Sequence, residues 1–277
     1  MDKSKQKPQA VAIVRAERIS TGEAAPPQEE EVTVVQEAPV TIDVEGVETY
    51  TILCTPIDKL ALAVGFLYTE GVIDSLDEVK VLKECDDDPN TVRVRLTGEV
   101  PRIDDAGRNL MIASSCGLCG SENIKQRIDA LPKVGEAMKI EAGLLRAVYG
   151  ALRERQPLFE VCGGTHAAAL FDQNGKIISS AEDTGRHSAL DKAIGKCLLE
   201  GVSTAGCGAV LTSRLSLEMV GKCARSGIEL VSGISAPTSL AVEIAERCGI
   251  TLCAFVRENR ATVFTCPERI EGVIGRN

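Results

Sequence analysis

The chain has 277 residues, 44% of them hydrophobic, and carries 31 Lys+Arg against 40 Asp+Glu for a net charge of −9. This is a globular composition, long enough for one large or two modest domains. The acidic balance and the 3% aromatic content, with no Trp, argue against a non-specific nucleic-acid binder or a base-stacking platform. The longest apolar run, residues 60–68, is far short of the ~20 residues of a membrane span. The polar first ten residues do not form an export signal. A cytoplasmic protein with no membrane attachment is the expectation. Residues 1–30 read as a polar tail with an apolar patch at 11–14 that suits a first strand. Residues 31–36, 40–44 and 48–54 alternate or run β-branched and are expected to form a small antiparallel meander. Thr55-Pro56-Ile57-Asp58 opens a helix to about Glu70, closed by Gly71. Residues 79–84 and 91–96 flank Asp86-Asp87-Asp88-Pro89-Asn90 as a hairpin with a solvated acidic turn.

Residues 106–121 have little periodicity and contain Cys116-Gly117-Leu118-Cys119-Gly120; helices are expected at 122–130 and 141–155. Residues 166–171 and 176–181 flank an Asn174-Gly175 hairpin signal, and a helix follows from Arg186 to about Glu200. The last third alternates most clearly. A strand at 209–212 precedes a helix with Leu217, Val220, Gly221 and Ala224 on one face, ended by Gly227. A strand at 228–231 precedes a helix with Ala241, Ile244, Ala245 and Cys248 on one face, ended by Gly249, and a third strand runs over 251–256. Short links between these elements imply parallel strands in a right-handed α/β layer.

In such a sheet ligands collect beyond the carboxyl ends of the strands. Here those ends are Ser213-Arg214, residues 232–239, and Arg257-Glu258-Asn259-Arg260. Arginines that can fork onto phosphate and a helix start at Thr238-Ser239 suit a nucleotide or phosphate site; surface caps and solvated arginines fit the same pattern. Cys116 and Cys119 can share a metal, form a redox pair, or let one thiolate carry chemistry, with the following helix start available to lower a thiol pKa. A structural zinc site lacks a second CxxC, and His166 and His187 are the only histidines. Asp183 stands where it could orient His187 as a base, although both histidines also suit structural roles. The other nine of the 11 cysteines lack motif spacing and read as core packing; with no export signal, a disulfide framework is not expected.

Ser115 through Gly120, Gly163 through Leu170 (GGTHAAAL), Glu182 through Lys192 (EDTGRHSALDK), LTSRLSLEMV from Leu211 and SAPTSLAV from Ser235 together resemble the formate dehydrogenase accessory sulfurtransferases, the FdhD family. The resemblance implies an enzyme that accepts sulfur from a cysteine desulfurase as a persulfide on Cys116, with Cys119 assisting. It implies delivery of that sulfur to the molybdenum, or tungsten, bis(molybdopterin guanine dinucleotide) cofactor destined for the formate dehydrogenase catalytic subunit. Phe255, Val256, Arg257, Glu258, Asn259 and Arg260 fall where the family binds that cofactor, with Arg214 and Arg186 as further candidates. A homodimer with no structural metal follows from the same resemblance. The family fold is similar to cytidine deaminases. The expected α/β architecture is therefore a three-layer α/β/α core at 122–277, a β-rich subdomain with α+β character at 31–110, and a mobile CxxC loop at 111–121. Deamination itself is not expected, because the H-x-E and P-C-x-x-C ligands for zinc are missing from the corresponding junctions. Two other readings stand beside the sulfurtransferase: a non-enzymatic cofactor-binding chaperone, and a metal or iron–sulfur protein bridged by the CxxC of two chains.

Overall fold

The computed structural model describes residues 10–22, 26–98, 110–112 (backbone only) and 128–272. The chain begins with β1 (Val11–Arg18) and β2 (Gln28–Val35), an antiparallel two-stranded ribbon in register from Val11↔Val35 to Arg18↔Gln28. Its first strand thus runs four residues beyond the apolar patch that signals it. The ribbon also removes β2 from the expected meander: residues 31–36 pair backward with β1, and only β3 (Ala38–Val44) and β4 (Glu48–Cys54) form the antiparallel hairpin. Polar residues on β1 hid its length, because an exposed ribbon does not have to alternate.

Helix α1 (Lys59–Glu70) follows and ends at Gly71, whose left-handed φ of 80° lets the chain turn back. Strands β5 (Val79–Glu84) and β6 (Thr91–Leu96) form the expected hairpin. With β7 (Leu110–Ile112) they complete a five-stranded sheet in the order β5-β6-β3-β4-β7. One face of that sheet is apolar by alternation. Val40, Ile42, Val44, Tyr50, Ile52, Val92 and Val94 pack on Leu62, Ala63, Phe66 and Leu67 of α1. Each such buried large side chain contributes roughly 1.5–3 kcal/mol.

The rest of the chain forms a three-layer unit. Its helices and strands are β8 (Ile140–Glu141), α2 (Ala142–Arg153), α3 (Pro157–Cys162), β9 (His166–Phe171), β10 (Ile177–Asp183), α4 (Arg186–Leu199), β11 (Gly208–Leu211), α5 (Leu217–Arg225), β12 (Leu230–Gly233), α6 (Ser239–Cys248), β13 (Thr251–Arg257), β14 (Arg260–Thr265) and β15 (Ile270–Glu271). The central sheet has the order β10-β9-β11-β12-β13-β14. As expected, β11, β12 and β13 are parallel; β9 and β14 flank them antiparallel. Helices α4, α5 and α6 cover one face through Ala189, Ala193, Val220, Ala241 and Ala245. Helix α2 covers the other through Leu145, Val148 and Leu152 against Ala169, Phe171, Val210 and Cys253. The buried face of α5 is Met219, Val220, Cys223 and Ala224, rotated from the expected one: Leu217 and Gly221 are only half-buried. Lys222, also buried there, masked the true stripe in the sequence.

Helix α1 joins the two halves. Its other side meets α4 so closely that a Cβ on Gly65 would lie 1.9 Å from the Asp191 carbonyl oxygen, and one on Gly195 1.9 Å from that of Ala61. Only glycine permits this crossing, and it explains why α1 is apolar around nearly its whole circumference.

Candidate functional site

The carboxyl ends of β10, β11, β12 and β13 and the amino ends of β9 and β14 make one rim of the central sheet. The segments named from the sequence meet along it. Leu215 bridges Pro237 in parallel fashion, the Phe255 N–H donates to the Ser235 carbonyl, and the Ala167 N–H donates to the Thr212 hydroxyl at 2.9 Å. Thr238 caps α6 by accepting from the Ala241 N–H, so that helix start does face the rim.

At the β13–β14 end, Phe255 sits at φ 54°, a left-handed conformation rare for an aromatic residue, and its ring is half-exposed 6.3 Å from that of Phe264. Val256 turns inward and is buried, whereas Arg257, Glu258, Asn259 and Arg260 are exposed. The Arg257 guanidinium donates to the carbonyls of Ile234 (2.6 Å) and Val256 (2.8 Å) through one nitrogen, which orients it over the rim. Exposed arginines and two exposed rings at one strand end are groups that suit a phosphate and a planar base.

The β10 end is built differently. Glu182 and Asp183 are buried, and their carboxylates are used by the fold. Glu182 accepts from the N–H groups of Leu158 and Phe159 at the start of α3 and from the Thr165 hydroxyl. Asp183 pairs with Lys192 at 2.6 Å, with both side chains fully buried. It also accepts from the Gly185 N–H (2.7 Å), the Thr184 hydroxyl (3.2 Å) and the Thr55 N–H (3.2 Å). Lys192 in turn donates to the Thr55 carbonyl at 2.8 Å, and the Thr184 N–H donates to the Thr55 hydroxyl at 3.2 Å. Thr55, fully buried, directly follows β4, so this knot ties the five-stranded sheet to the turn that opens α4. Thr55 stood out in the sequence only as a helix opening and Lys192 only as the end of the EDTGRHSALDK block, and neither was assigned a role. The one available signal was Asp191-Lys192 in the middle of the apolar stretch between Ala189 and Ile194.

That turn presents Arg186 and His187. The Arg186 Nε is buried with no hydrogen-bond partner among the described residues. Burial pushes the Glu218 carboxyl up, but the Ser216 hydroxyl, its own N–H and the nearby His187 and Arg186 outweigh it, and the net shift is downward. His166 is harder to protonate than a free imidazole. Burial lowers its pKa, the Arg186 charge lowers it further, and Asp183 offsets part of this.

Cys116 and Cys119 lie outside the described residues, as do most of the helix expected at 122–130 and all of the 111–121 loop beyond Ile112. What the fold does fix is the strand before them: β7 runs parallel to β4 with Ile112 beside Ile52, so it leaves the sheet at the end where β4 reaches Thr55. The other nine cysteines are free thiols; seven are buried, and Cys162 and Cys266 are half-buried, in keeping with core packing. Burial pushes the thiols of Cys54, Cys223 and Cys253 up to about 12, which makes them inert as nucleophiles. Among the described residues no three His, Cys, Asp or Glu side chains group as a metal site. None of their helices is long and apolar enough to cross a membrane.

Residues 35–271 match the model of the FdhD/NarQ family. The chain is 36% identical over 244 residues to the sulfur carrier protein FdhD of Thermoplasma acidophilum, covering 86% of each. It is 39% identical over 246 residues to that of Sulfolobus acidocaldarius, covering 86% of this chain and 91% of the relative. Among solved structures, it resembles one described as a candidate formate dehydrogenase accessory protein from Desulfotalea psychrophila, with a TM-score of 0.75 and 25% identity. That likeness covers 94% of this chain and 99% of the other.

Proposed function

The chain belongs to the FdhD/NarQ family, and from that premise we propose that it is a sulfurtransferase that carries sulfur as a persulfide on Cys116 to a molybdenum or tungsten bis(molybdopterin guanine dinucleotide) substrate. A cysteine desulfurase is the donor. The Cys116 thiolate attacks the outer sulfur of the donor's cysteine persulfide; the new S–S bond forms as the old one breaks, and the donor leaves as a thiolate. In the second step the sulfane sulfur passes to the substrate's metal, which supplies the two electrons that make it sulfide, and Cys116 returns as the thiolate. The cofactor so loaded then serves the formate dehydrogenase catalytic subunit. Cys119 assists or relays, and a cytoplasmic homodimer completes the reading.

The observation that carries the proposal is the division of the rim. An exposed Arg257–Arg260 segment with Phe255 and Phe264 is available for a guanine nucleotide, at the far end of the sheet from the buried Glu182 and Asp183 carboxylates that the fold itself uses. Incubating the protein with an active desulfurase and cysteine should add one reducible sulfur, about 32 Da, to the wild type and none to Cys116→Ala. The Cys116→Ala variant should bind guanosine diphosphate as the wild type does. No added mass on any cysteine would point to the cofactor-binding chaperone instead.

A further inference from the structure

Strand β1 has a free edge. Among the described residues it pairs only with β2, and the ladder fixes which of its groups face outward. The Gln36 N–H donates to the Ala10 carbonyl at 2.8 Å, so Ala10 and, by alternation, Ala12, Val14, Ala16 and Arg18 turn their backbone groups toward β2. The N–H and C=O groups of Val11, Ile13, Arg15 and Glu17 therefore point away from it, an open template for another strand. The side chains of Ile13, Arg15 and Glu17 share one face of the ribbon, and Ile19 follows at the same spacing. All four are exposed, Ile13 by 69% and Ile19 by 65%. Outward from Ala16 this face carries a charge and then an isoleucine in both directions, and the two charges are opposite in sign.

We infer that this edge pairs with the same edge of a second copy of the chain, antiparallel and centred on Ala16, so that the two ribbons form one four-stranded sheet across a twofold axis. The axis sets Arg15 opposite Glu17 of the second copy and Ile13 opposite its Ile19, and each pair occurs twice. These residues are the ones with outward N–H and C=O groups, so the pairs that match in side chain also exchange the hydrogen bonds. Centring the axis on Arg15 or on Glu17 would set like charges against each other, which selects the register. Charges on an edge strand ordinarily keep copies apart; here they attract across the axis. Within one chain Glu17 stands directly opposite Glu29 of β2, a like-charge pair, whereas Arg15 stands opposite Glu31. The second copy's Arg15 supplies the countercharge that β2 does not. The edge precedes residues 35–271, which match the family model, and the pairing is independent of the sulfur-carrier reading.

The test is sedimentation velocity on the full-length protein across a concentration series, wild type against Glu17→Arg. Within one chain this substitution faces Glu29 with a cation and should strengthen the ribbon; across the axis it sets two cations against each other, twice. A role confined to the single chain therefore predicts no loss, and self-pairing predicts a large one. Expected is a wild-type particle of at least twice the mass of Glu17→Arg, which should need a concentration about tenfold higher or more to associate. Arg15→Glu alone should behave in the same way. An equimolar mixture of the two single variants should associate again, because each cation then meets a carboxylate, and so should the double variant Arg15→Glu/Glu17→Arg. Equal masses for wild type and Glu17→Arg at every concentration overturn the pairing, whether both are single chains or both are a dimer joined through another face. Association that is lost in Glu17→Arg and restored by neither the mixture nor the double variant also overturns it, since the edge then serves a different partner or register. None of these readouts involves sulfur, so failure of the sulfur-carrier reading leaves the outcome untouched.

Discussion

At the β10 end of the rim, two carboxylates and a lysine are withdrawn from water and spend their bonds on neighbouring backbone; at the β13–β14 end, Arg257 through Arg260 are open to solvent and the chain bends through a left-handed aromatic residue. The first arrangement gives fixed geometry and offers little to a ligand directly. The second leaves cations and ring faces available and gains little stability from them. One sheet edge thus separates holding a conformation from holding a molecule, and substitutions at the two ends should fail in different ways.

The largest expected effect is at the buried end. Lys192→Met alone leaves the Asp183 carboxylate buried without its countercharge and should cost about 3–5 kcal/mol in urea unfolding. Adding Asp183→Asn should restore most of it, and a double variant no more stable than the single would show that the two ends are not so distinct. At the open end the pattern should invert. Arg257→Ala should move stability by less than about 0.5 kcal/mol while weakening guanosine diphosphate binding by roughly tenfold, about 1.4 kcal/mol; isothermal titration calorimetry reads the second and the urea midpoint the first.

The smallest effect concerns His166, between the ends. Its pKa is lowered in the folded protein by burial and by Arg186, so the folded state resists protonation relative to the unfolded chain. Its contribution is therefore complete above the unfolded value of about 6.5 and is lost as pH falls through the lower folded value. The urea midpoint should drop slightly more between pH 7 and pH 5 in wild type than in His166→Gln, which does not titrate.

The same contrast governs what could be read from the sequence. The open end was legible because its parts are local: a strand end, a run of arginine, glutamate and asparagine, and a helix start at Thr238 whose cap forms as expected. The β11–α5–β12–α6–β13 order was legible too, since apolar spacing and the terminal glycines Gly227 and Gly249 mark each element. The buried end was not. Asp183 and Lys192 are nine positions apart and meet Thr55 from about 130 positions away, a separation no periodicity reports. Strand β14 and the short helix α3 went unnoticed for a related reason: β14 is exposed along most of its length, and α3 is held by Glu182 from β10 rather than by its own pattern.

Helix α1, pressed between a sheet and α4 at the Gly65–Gly195 crossing, has a consequence for the order in which the molecule opens. Its backbone amides cannot meet solvent while either neighbour is in place, so their hydrogen exchange should require global unfolding and be the slowest in the chain. The outer amides of the β1–β2 ribbon, whose β1 strand is mostly exposed, should exchange first in the single chain. A helix in that position also makes the N-terminal sheet a dependent of the C-terminal layers. Truncated at residue 98, the sheet would expose the α4-facing side of α1 as an apolar stripe, and the fragment would aggregate instead of folding alone.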